Sequence, residues 1–174
     1  MSTDGRDEAI IDTSVLLNFL KIDRIDLLAR HPSYRFVVVD LVKNEVTKRG
    51  QASRLEAAFQ AGEVFPDRPP ESIDISELAT FADMSHIKIS NGERAAIAAA
   101  KVRGLVLAMD DEIAWKRASA FCTGFAREDT VSLIVLLIKE RVLTVMEADV
   151  VKLDWEKNHK FIKKTFSSFA ELVS

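Results

Sequence analysis

Apolar residues along this chain form short continuous runs that alternate with helically spaced stripes. The first run, Ala9–Ile11, ends at Asp12, and helical spacing of apolar residues follows over Ser14–Ile22. The second run, Arg35–Val39, is β-branched and aromatic, which is typical of buried strands, and it leads into a helical segment at Leu41–Lys48. Each pair predicts a buried strand followed by a helix.

The rest of the chain repeats this order and contains clear stop signals. Pro66, Pro69 and Pro70 predict a loop, and Gly104 is placed to end a helix that starts in Ser90-Asn91-Gly92-Glu93. We predict further helices and strands, namely helices over Gln51–Gly62, Asp74–Met84, Arg94–Arg103, Glu112–Ala120 and Thr130–Arg141, and strands over Leu105–Met109 and, more weakly, Phe121–Phe125. This alternation predicts an α/β fold with a mostly parallel central sheet and helices on both faces.

Composition restricts the class of protein. The 174 residues suit one domain, and 48% apolar with 29% charged residues is ordinary for a soluble protein. A net charge of −3 gives no global attraction to nucleic acid. Met1–Glu8 is polar and does not resemble a signal peptide. The longest apolar run, Val131–Ile138, is too short to span a membrane. Cys122 has no second cysteine with which to form a disulfide. We therefore expect a cytoplasmic protein with no membrane contact.

The C-terminal segment differs in composition. Between Lys152 and Lys164, five lysines stand against Asp154 and Glu156, and aromatic residues are interleaved with them. One interpretation is an amphipathic helix that packs on the domain, and the other is a basic surface that faces RNA or a partner protein. The chain is thus predicted to be a single domain with a core over about 9–145 and a basic, aromatic helical tail over 152–174.

Acidic residues stand where the predicted strands end or where the following helices begin. In open α/β sheets, ligands bind beyond the carboxyl ends of the strands, so this edge is the candidate site. The acids expected there come from separate segments of the chain: Asp12, Asp40, Glu45, Glu93, Asp110, Asp111 and Asp129.

Carboxylates that lie close together repel one another, and a bound cation relieves that repulsion. No lysine or arginine pattern answers each acid, so we expect a hard divalent cation, Mg²⁺ or Mn²⁺. Zinc is disfavoured because His31, His86 and His159 are scattered along the chain.

Each acid also has a structural alternative, because Asp at a strand–helix junction is a common N-cap worth ~1 kcal/mol. We assign Asp40 and Asp110 to caps or to the support of neighbouring side chains, and Asp129 stays open between a cap and a fourth acid of the site. Glu93 has the alternative role of complementing the helix dipole. Glu45 lies too far into its predicted helix to cap it.

Four segments together resemble a PIN domain, the nuclease fold of many bacterial and archaeal toxins. The first segment, Ile10–Leu16, is similar to the family's opening strand and first catalytic Asp, and the second, Val42–Val46, is similar to its V-x-x-E-V segment. The third, Asn91–Ile97, is similar to the G-E-x-x-A-I helix of one branch. The fourth, Leu107–Asp111, resembles T-D-D-x-x-A-R-x-x-A together with Ala114 and Ala118. Two features depart from the pattern: Met109 stands where Thr is common, and 126–130 does not closely match the late motif.

The resemblance implies a PIN-like three-layer α/β/α fold with an acidic catalytic cluster of Asp12, Glu45, Glu93 and Asp111, and with Ser14 as a polar helper. It implies a metal held by Asp12, Glu93 and Asp111, to which Asp129 is added as the candidate fourth acid. The activity implied is Mg²⁺- or Mn²⁺-dependent hydrolysis of RNA phosphodiester bonds, as in the toxin of a toxin–antitoxin pair.

Two other functions stay open, a catalytically degraded PIN-like binding module and a small-molecule phosphohydrolase. The resemblance also implies a homodimer and a small antitoxin protein that blocks the acidic groove. Ser14–Ile22 and Leu41–Lys48 carry apolar surface that a second copy would cover. The alternative is a monomer whose own tail, Trp155–Phe169, folds back over that surface.

Overall fold

The computed structural model describes residues 5–161 and 166–173. The strands within them are β1 (Asp7–Ile11), β2 (Tyr34–Val38), β3 (Phe65–Pro66), β4 (Val106–Ala108) and β5 (Arg127–Glu128). They form one sheet in the order β3-β2-β1-β4-β5. All four neighbouring pairs of these strands are parallel, which confirms the α/β prediction.

Helices flank the sheet in a three-layer arrangement. Those in the described residues are α1 (Thr13–Lys21), α2 (Asp26–Ala29), α3 (Asp40–Glu45), α4 (Arg49–Ala61), α5 (Ile75–Asp83), α6 (Asn91–Arg103), α7 (Glu112–Arg117), α8 (Thr130–Lys139), α9 (Val145–Asn158) and α10 (Ala170–Val173). Across that part of the chain, no helix combines the length and the apolar character needed to cross a bilayer.

The central strand β1 lies at the centre of the core. Ala9, Ile10 and Ile11 are fully buried, as expected for a parallel strand covered on both faces, where apolar residues do not alternate with polar ones. Helix α1 contributes Leu16 and Phe19 to the same core, so the apolar stripe of this helix faces inward.

The C-terminal helix α9 covers part of α1. Trp155 is 1% exposed, its ring meets Phe19 edge-on at 5.7 Å between centroids, and its Nε1 donates a hydrogen bond to Asn18 O at 2.7 Å. The tail therefore packs on the domain over 152–158, as one of the two interpretations expected. Residues 162–165, which carry two of the five lysines, lie outside the described residues.

Two strands differ from the sequence prediction. Phe65–Pro66 was expected in a loop, yet Phe65 pairs with Val37 at the sheet edge, where proline is tolerated because an edge strand needs fewer N–H donors. The predicted strand Phe121–Phe125 is wrong. Phe121 N instead donates to Ala118 O in a turn, and the edge position next to β4 is taken by Arg127–Glu128.

Candidate active site

Asp12 is the most buried acid at the carboxyl edge of the sheet. It follows β1, its backbone N–H donates to Ala108 O at 2.9 Å, and its carboxylate caps α1. Oδ2 accepts hydrogen bonds from Ser14 N at 3.1 Å and Ser14 Oγ at 2.6 Å. Oδ1 is buried and has no hydrogen-bond partner among the described residues. Ser14 therefore fixes one oxygen of Asp12 and leaves the other unsatisfied.

The environment of Asp12 disfavours its charge. Burial raises the pKa of Asp12 to about 6, the hydrogen bonds from Ser14 act in the opposite direction, and the negative charge of Glu93 raises it further. A buried carboxylate with an unpaired oxygen and an acidic neighbour is stabilised strongly by a cation.

Glu93 begins α6 in a capping box. Its N–H donates to Ser90 Oγ at 3.1 Å, and its Oε2 accepts from Ser90 N at 2.6 Å. The carboxylate thus supports the helix start and also acts electrostatically on Asp12. The structural alternative for Glu93, support of the helix start, is therefore present, and its role as a ligand of a cation stays a prediction.

Glu45 is the last residue of α3, and its carboxylate contacts two other helices at their first turns. Oε2 accepts from Thr13 Oγ1 at 2.5 Å, and Oε1 accepts from Gly92 N at 2.9 Å. Thr13 directly follows Asp12, and Gly92 directly precedes Glu93. Sequence reasoning did not find these two partners, which lie 32 and 47 positions away.

Asp111 and Asp129 are N-caps in the structure. Asp111 Oδ1 accepts from Ile113 N and Ala114 N, both at 2.8 Å, and this leaves Oδ2 outside those two bonds. Asp129 Oδ1 accepts from Ser132 N at 2.8 Å in a capping box at the start of α8. The structural alternative for Asp129 is thus present, and it does not decide whether the same side chain also binds a cation.

Asp110 supports its neighbours, as predicted. Its carboxylate accepts from Asn18 Nδ2 at 2.8 Å, Thr130 N at 3.0 Å and Thr130 Oγ1 at 2.5 Å. Its own N–H donates to Ser14 Oγ at 3.0 Å, which links it to the group that orients Asp12. The buried polar residues Asn18 and Thr130 were missed by sequence reasoning, since their positions within apolar helices carry no signal.

The cap prediction for Asp40 is wrong. Val39 is the N-cap residue of α3 and makes no side-chain capping bond, and Asp40 lies exposed in the first turn. An acid at that position still interacts favourably with the helix dipole.

The carboxylate oxygens at this edge are donors of the kind that bind a hard divalent cation, although the acids do not surround a common point. Within residues 5–161 and 166–173, no three acidic, histidine or cysteine side chains converge as a metal site would require. The fit is carried by Asp12 Oδ1, a buried carboxylate oxygen without a partner, beside the like charge of Glu93. Carboxylate oxygens of this kind are the ligands that Mg²⁺ and Mn²⁺ prefer.

A three-layer α/β/α domain with acids at the carboxyl ends of its parallel strands is a PIN-like fold, as the sequence predicted. The chain belongs to DUF3368, a family of PIN domains, whose model matches residues 8–165. PIN domains are nucleases, which places the chain in a family of hydrolases.

The chain is similar to solved structures at low sequence identity. A chain of VapBC-1 from nontypeable Haemophilus influenzae is 14% identical, with a TM-score of 0.51 over 71% of this chain and 98% of that one. A chain of VapBC2 from Rickettsia felis, solved bound to a DNA fragment from their promoter, is 12% identical, with a TM-score of 0.49 over 70% and 98%. No curated protein matches the sequence.

Proposed function

We propose that this protein is a Mg²⁺- or Mn²⁺-dependent ribonuclease that hydrolyses RNA phosphodiester bonds and serves as the toxin of a toxin–antitoxin pair. The observation that carries the proposal is the state of Asp12: a buried carboxylate with one unpaired oxygen, beside Glu93, at the edge where this fold binds ligands. Membership in a nuclease family supports the reaction class.

Asp12 would be the central ligand of the cation. Glu93, Asp111 and Asp129 are the further acids proposed to approach it when the cation binds, since no three such side chains converge in the described residues. A bound divalent cation supplies an activated water and neutralises charge on the scissile phosphate. Ser14 holds Asp12 through Oδ2 and leaves Oδ1 without a protein partner among the described residues, and Asp110 in turn fixes Ser14 through its backbone N–H. These contacts pre-organise the site before substrate arrives.

The test is cleavage of a mixed RNA pool with Mn²⁺, with Mg²⁺ and with EDTA, alongside a single-stranded DNA pool of matched length. Wild type should cleave RNA with either metal and lose activity in EDTA. Asp12→Asn should be inactive, whereas Asp74→Asn, an exposed N-cap of α5, is the matched control and should cleave normally. Equal cleavage by Asp12→Asn would refute the site.

A second candidate function is a PIN-like binding module with a degraded site. It is favoured by the lack of any converging group of three metal-ligand side chains in the described part of the chain. A protein that neither cleaves RNA nor responds to Mn²⁺ in a thermal melt would support this second function.

We also propose a small antitoxin protein as the partner. A groove of about 140 Å³ is lined mainly by apolar side chains of α3, α5 and α6, including Leu41, Leu78, Phe81 and Ala95, and Ala95 lies two positions after Glu93. Leu78 and Ile75 of α5 are exposed at 52% and 83%. An amphipathic segment would fit this groove and could direct a basic side chain toward Asp12 and Glu93.

We also propose a homodimer, but through a different surface from the one that the sequence predicted. Trp155 of the tail already covers Phe19 of α1, so that part of the apolar surface is not available to a second copy. Helix α9 instead presents Met146, Val150 and Leu153 outward on one face, and these side chains are exposed. A dimer through α9 would bury them.

A further inference from the structure

Glu45 connects the two backbone segments that carry Asp12 and Glu93. It comes from α3, yet its carboxylate binds Thr13 at the start of α1 and Gly92 at the start of α6. Each of these partners is the immediate neighbour of a candidate metal ligand. Glu45 therefore bridges the two segments that carry Asp12 and Glu93.

The two oxygens of Glu45 differ in their situation from those of Asp12. Both Oε1 and Oε2 of Glu45 accept a hydrogen bond, at 2.9 and 2.5 Å. Asp12, in contrast, has a buried oxygen that no described residue satisfies. The oxygen without a donor is on Asp12, whereas each oxygen of Glu45 already has one protein donor.

Gly92 makes the approach of Glu45 possible. A Cβ at position 92 would lie 2.5 Å from Glu45 Cδ and 2.5 to 2.6 Å from its two oxygens. The glycine is not required by its backbone angle, since it is absent from the positive-φ glycines of the described residues. It costs the helix stability relative to alanine, and space for the Glu45 carboxylate is the reason that the structure provides.

We propose that Glu45 is a positioning residue that ties α1 to α6 through Thr13 and Gly92, and so sets the spacing of Asp12 and Glu93, rather than a ligand of the cation. This inference rests on the proposed metal-dependent nuclease function. It assigns to Gly92 the role of leaving room for the Glu45 carboxylate, and to Thr13 that of its second donor.

Two substitutions of Glu45 distinguish positioning from direct carboxylate chemistry. Glu45→Gln keeps the length of the side chain: its oxygen still accepts from Gly92 N, and its amide can donate to Thr13 Oγ1. Glu45→Asp keeps the charge but is one methylene too short to reach both partners. We expect Mn²⁺ affinity, measured by calorimetry, to stay within about threefold in Glu45→Gln and to fall roughly tenfold or more in Glu45→Asp.

A stability cycle tests the contact without any nuclease assay. Gly92→Ala should lower the melting temperature in EDTA by a few degrees, because the new methyl group displaces the Glu45 carboxylate from both hydrogen bonds. In a Glu45→Ala background the same change should be neutral or stabilising, since the space is then free and alanine favours the helix. Gly50→Ala in α4, where a Cβ would meet nothing within 4 Å, is the matched control and should not destabilise.

Loss of Mn²⁺ affinity in Glu45→Gln equal to that in Asp12→Asn, with affinity retained in Glu45→Asp, would overturn the positioning role. An equal effect of Gly92→Ala in both backgrounds would also overturn it. If wild type cleaves no RNA and binds no Mn²⁺, the proposed function fails, and the melting cycle still decides whether Glu45 ties the two helices.

Discussion

In the absence of metal, the stability of Asp12→Asn relative to wild type should increase as the pH rises. In the folded protein burial raises the pKa of Asp12 from 3.8 to about 6. The folded state therefore binds the Asp12 proton more tightly than the unfolded state between these two values, and the stability of wild type falls as the pH rises through this window. The asparagine side chain of the variant has no proton to lose, so the variant avoids this change.

The size of the effect follows from the shift. A pKa difference of about 2 units corresponds to about 3 kcal/mol of unfolding free energy that wild type loses as the pH rises. The loss is complete above pH 6 and about half as large near pH 5. The hydrogen bonds from Ser14 to Oδ2 can be kept by the amide oxygen, although bonds to a neutral acceptor are weaker by ~1 kcal/mol. That difference exists only while Asp12 is charged, and it is already contained in the pKa of about 6, because the Ser14 bonds lower the pKa of Asp12.

The assay is urea unfolding of wild type and Asp12→Asn in EDTA, at pH 8 and at pH 4. We expect the stability of the variant relative to wild type to increase by about 2–3 kcal/mol from pH 4 to pH 8. Groups that do not interact with Asp12 titrate alike in both proteins and drop out of the difference, whereas the interaction with Glu93 is part of the raised pKa of Asp12. A difference that is the same at both pH values would refute the assignment of Asp12 as a strained, buried carboxylate.

The same structure sets the expected behaviour of a buried histidine, of the bound metal, of a second acid and of helix α9. Burial, with Arg6 nearby, lowers the pKa of His31 to about 4, so His31 stays neutral in the folded protein. The stability of wild type should therefore fall as the pH falls from 6.5 toward 4. In thermal melts at a series of pH values, His31→Gln should show a smaller fall over this range. Mn²⁺ should raise the melting temperature of wild type at lower concentration than Mg²⁺ does, and should leave Asp12→Asn unmoved. Asp111→Asn should abolish RNA cleavage without loss of circular-dichroism signal, whereas normal cleavage would remove Asp111 from the site. Trp155→Ala should cost ~3–5 kcal/mol of stability and Leu153→Ala less than ~1 kcal/mol, because Trp155 is buried and Leu153 is exposed. If α9 forms the dimer, light scattering of Leu153→Asp should report a monomer.

The central part of the fold was predictable because its signals are local. Ala9–Ile11 and Arg35–Val39 are apolar almost without interruption, so they predict strands covered on both faces, and both are followed by helically spaced residues. The acids after these runs must then lie at one edge, because parallel strands present their carboxyl ends together. The fold and the general place of the site follow from these two facts.

The short edge strands were not predictable, because pairing and not composition makes them strands. Phe65–Pro66 and Arg127–Glu128 are two residues each, and their register comes from Val37 and Leu107 on the neighbouring strands. Their own sequence is too short to show a period. A proline in one of them points to a loop unless the edge of the sheet is already known.

The contacts within the site were also beyond the sequence, for a different reason. Glu45 meets Gly92 across 47 positions, and Asn18 meets Asp110 across 92. Such pairs depend on how α3 and α1 pack beside their neighbours. Nothing in the local pattern distinguishes Gly92 as space for a carboxylate from an ordinary residue at a helix start.

The arrangement of caps explains how several acids can share this edge without a cation. Asp12, Asp111 and Asp129 each accept backbone N–H bonds at the start of a helix, and Glu93 lies in the first turn of α6. Helix N-termini carry partial positive charge, so each carboxylate has its own source of stabilisation. Asp12 differs from the others because it is buried and one of its oxygens has no donor within the described residues. Stabilisation of the fold by Mn²⁺ should therefore depend on Asp12 far more than on Asp129, whose capping bond is made with or without metal.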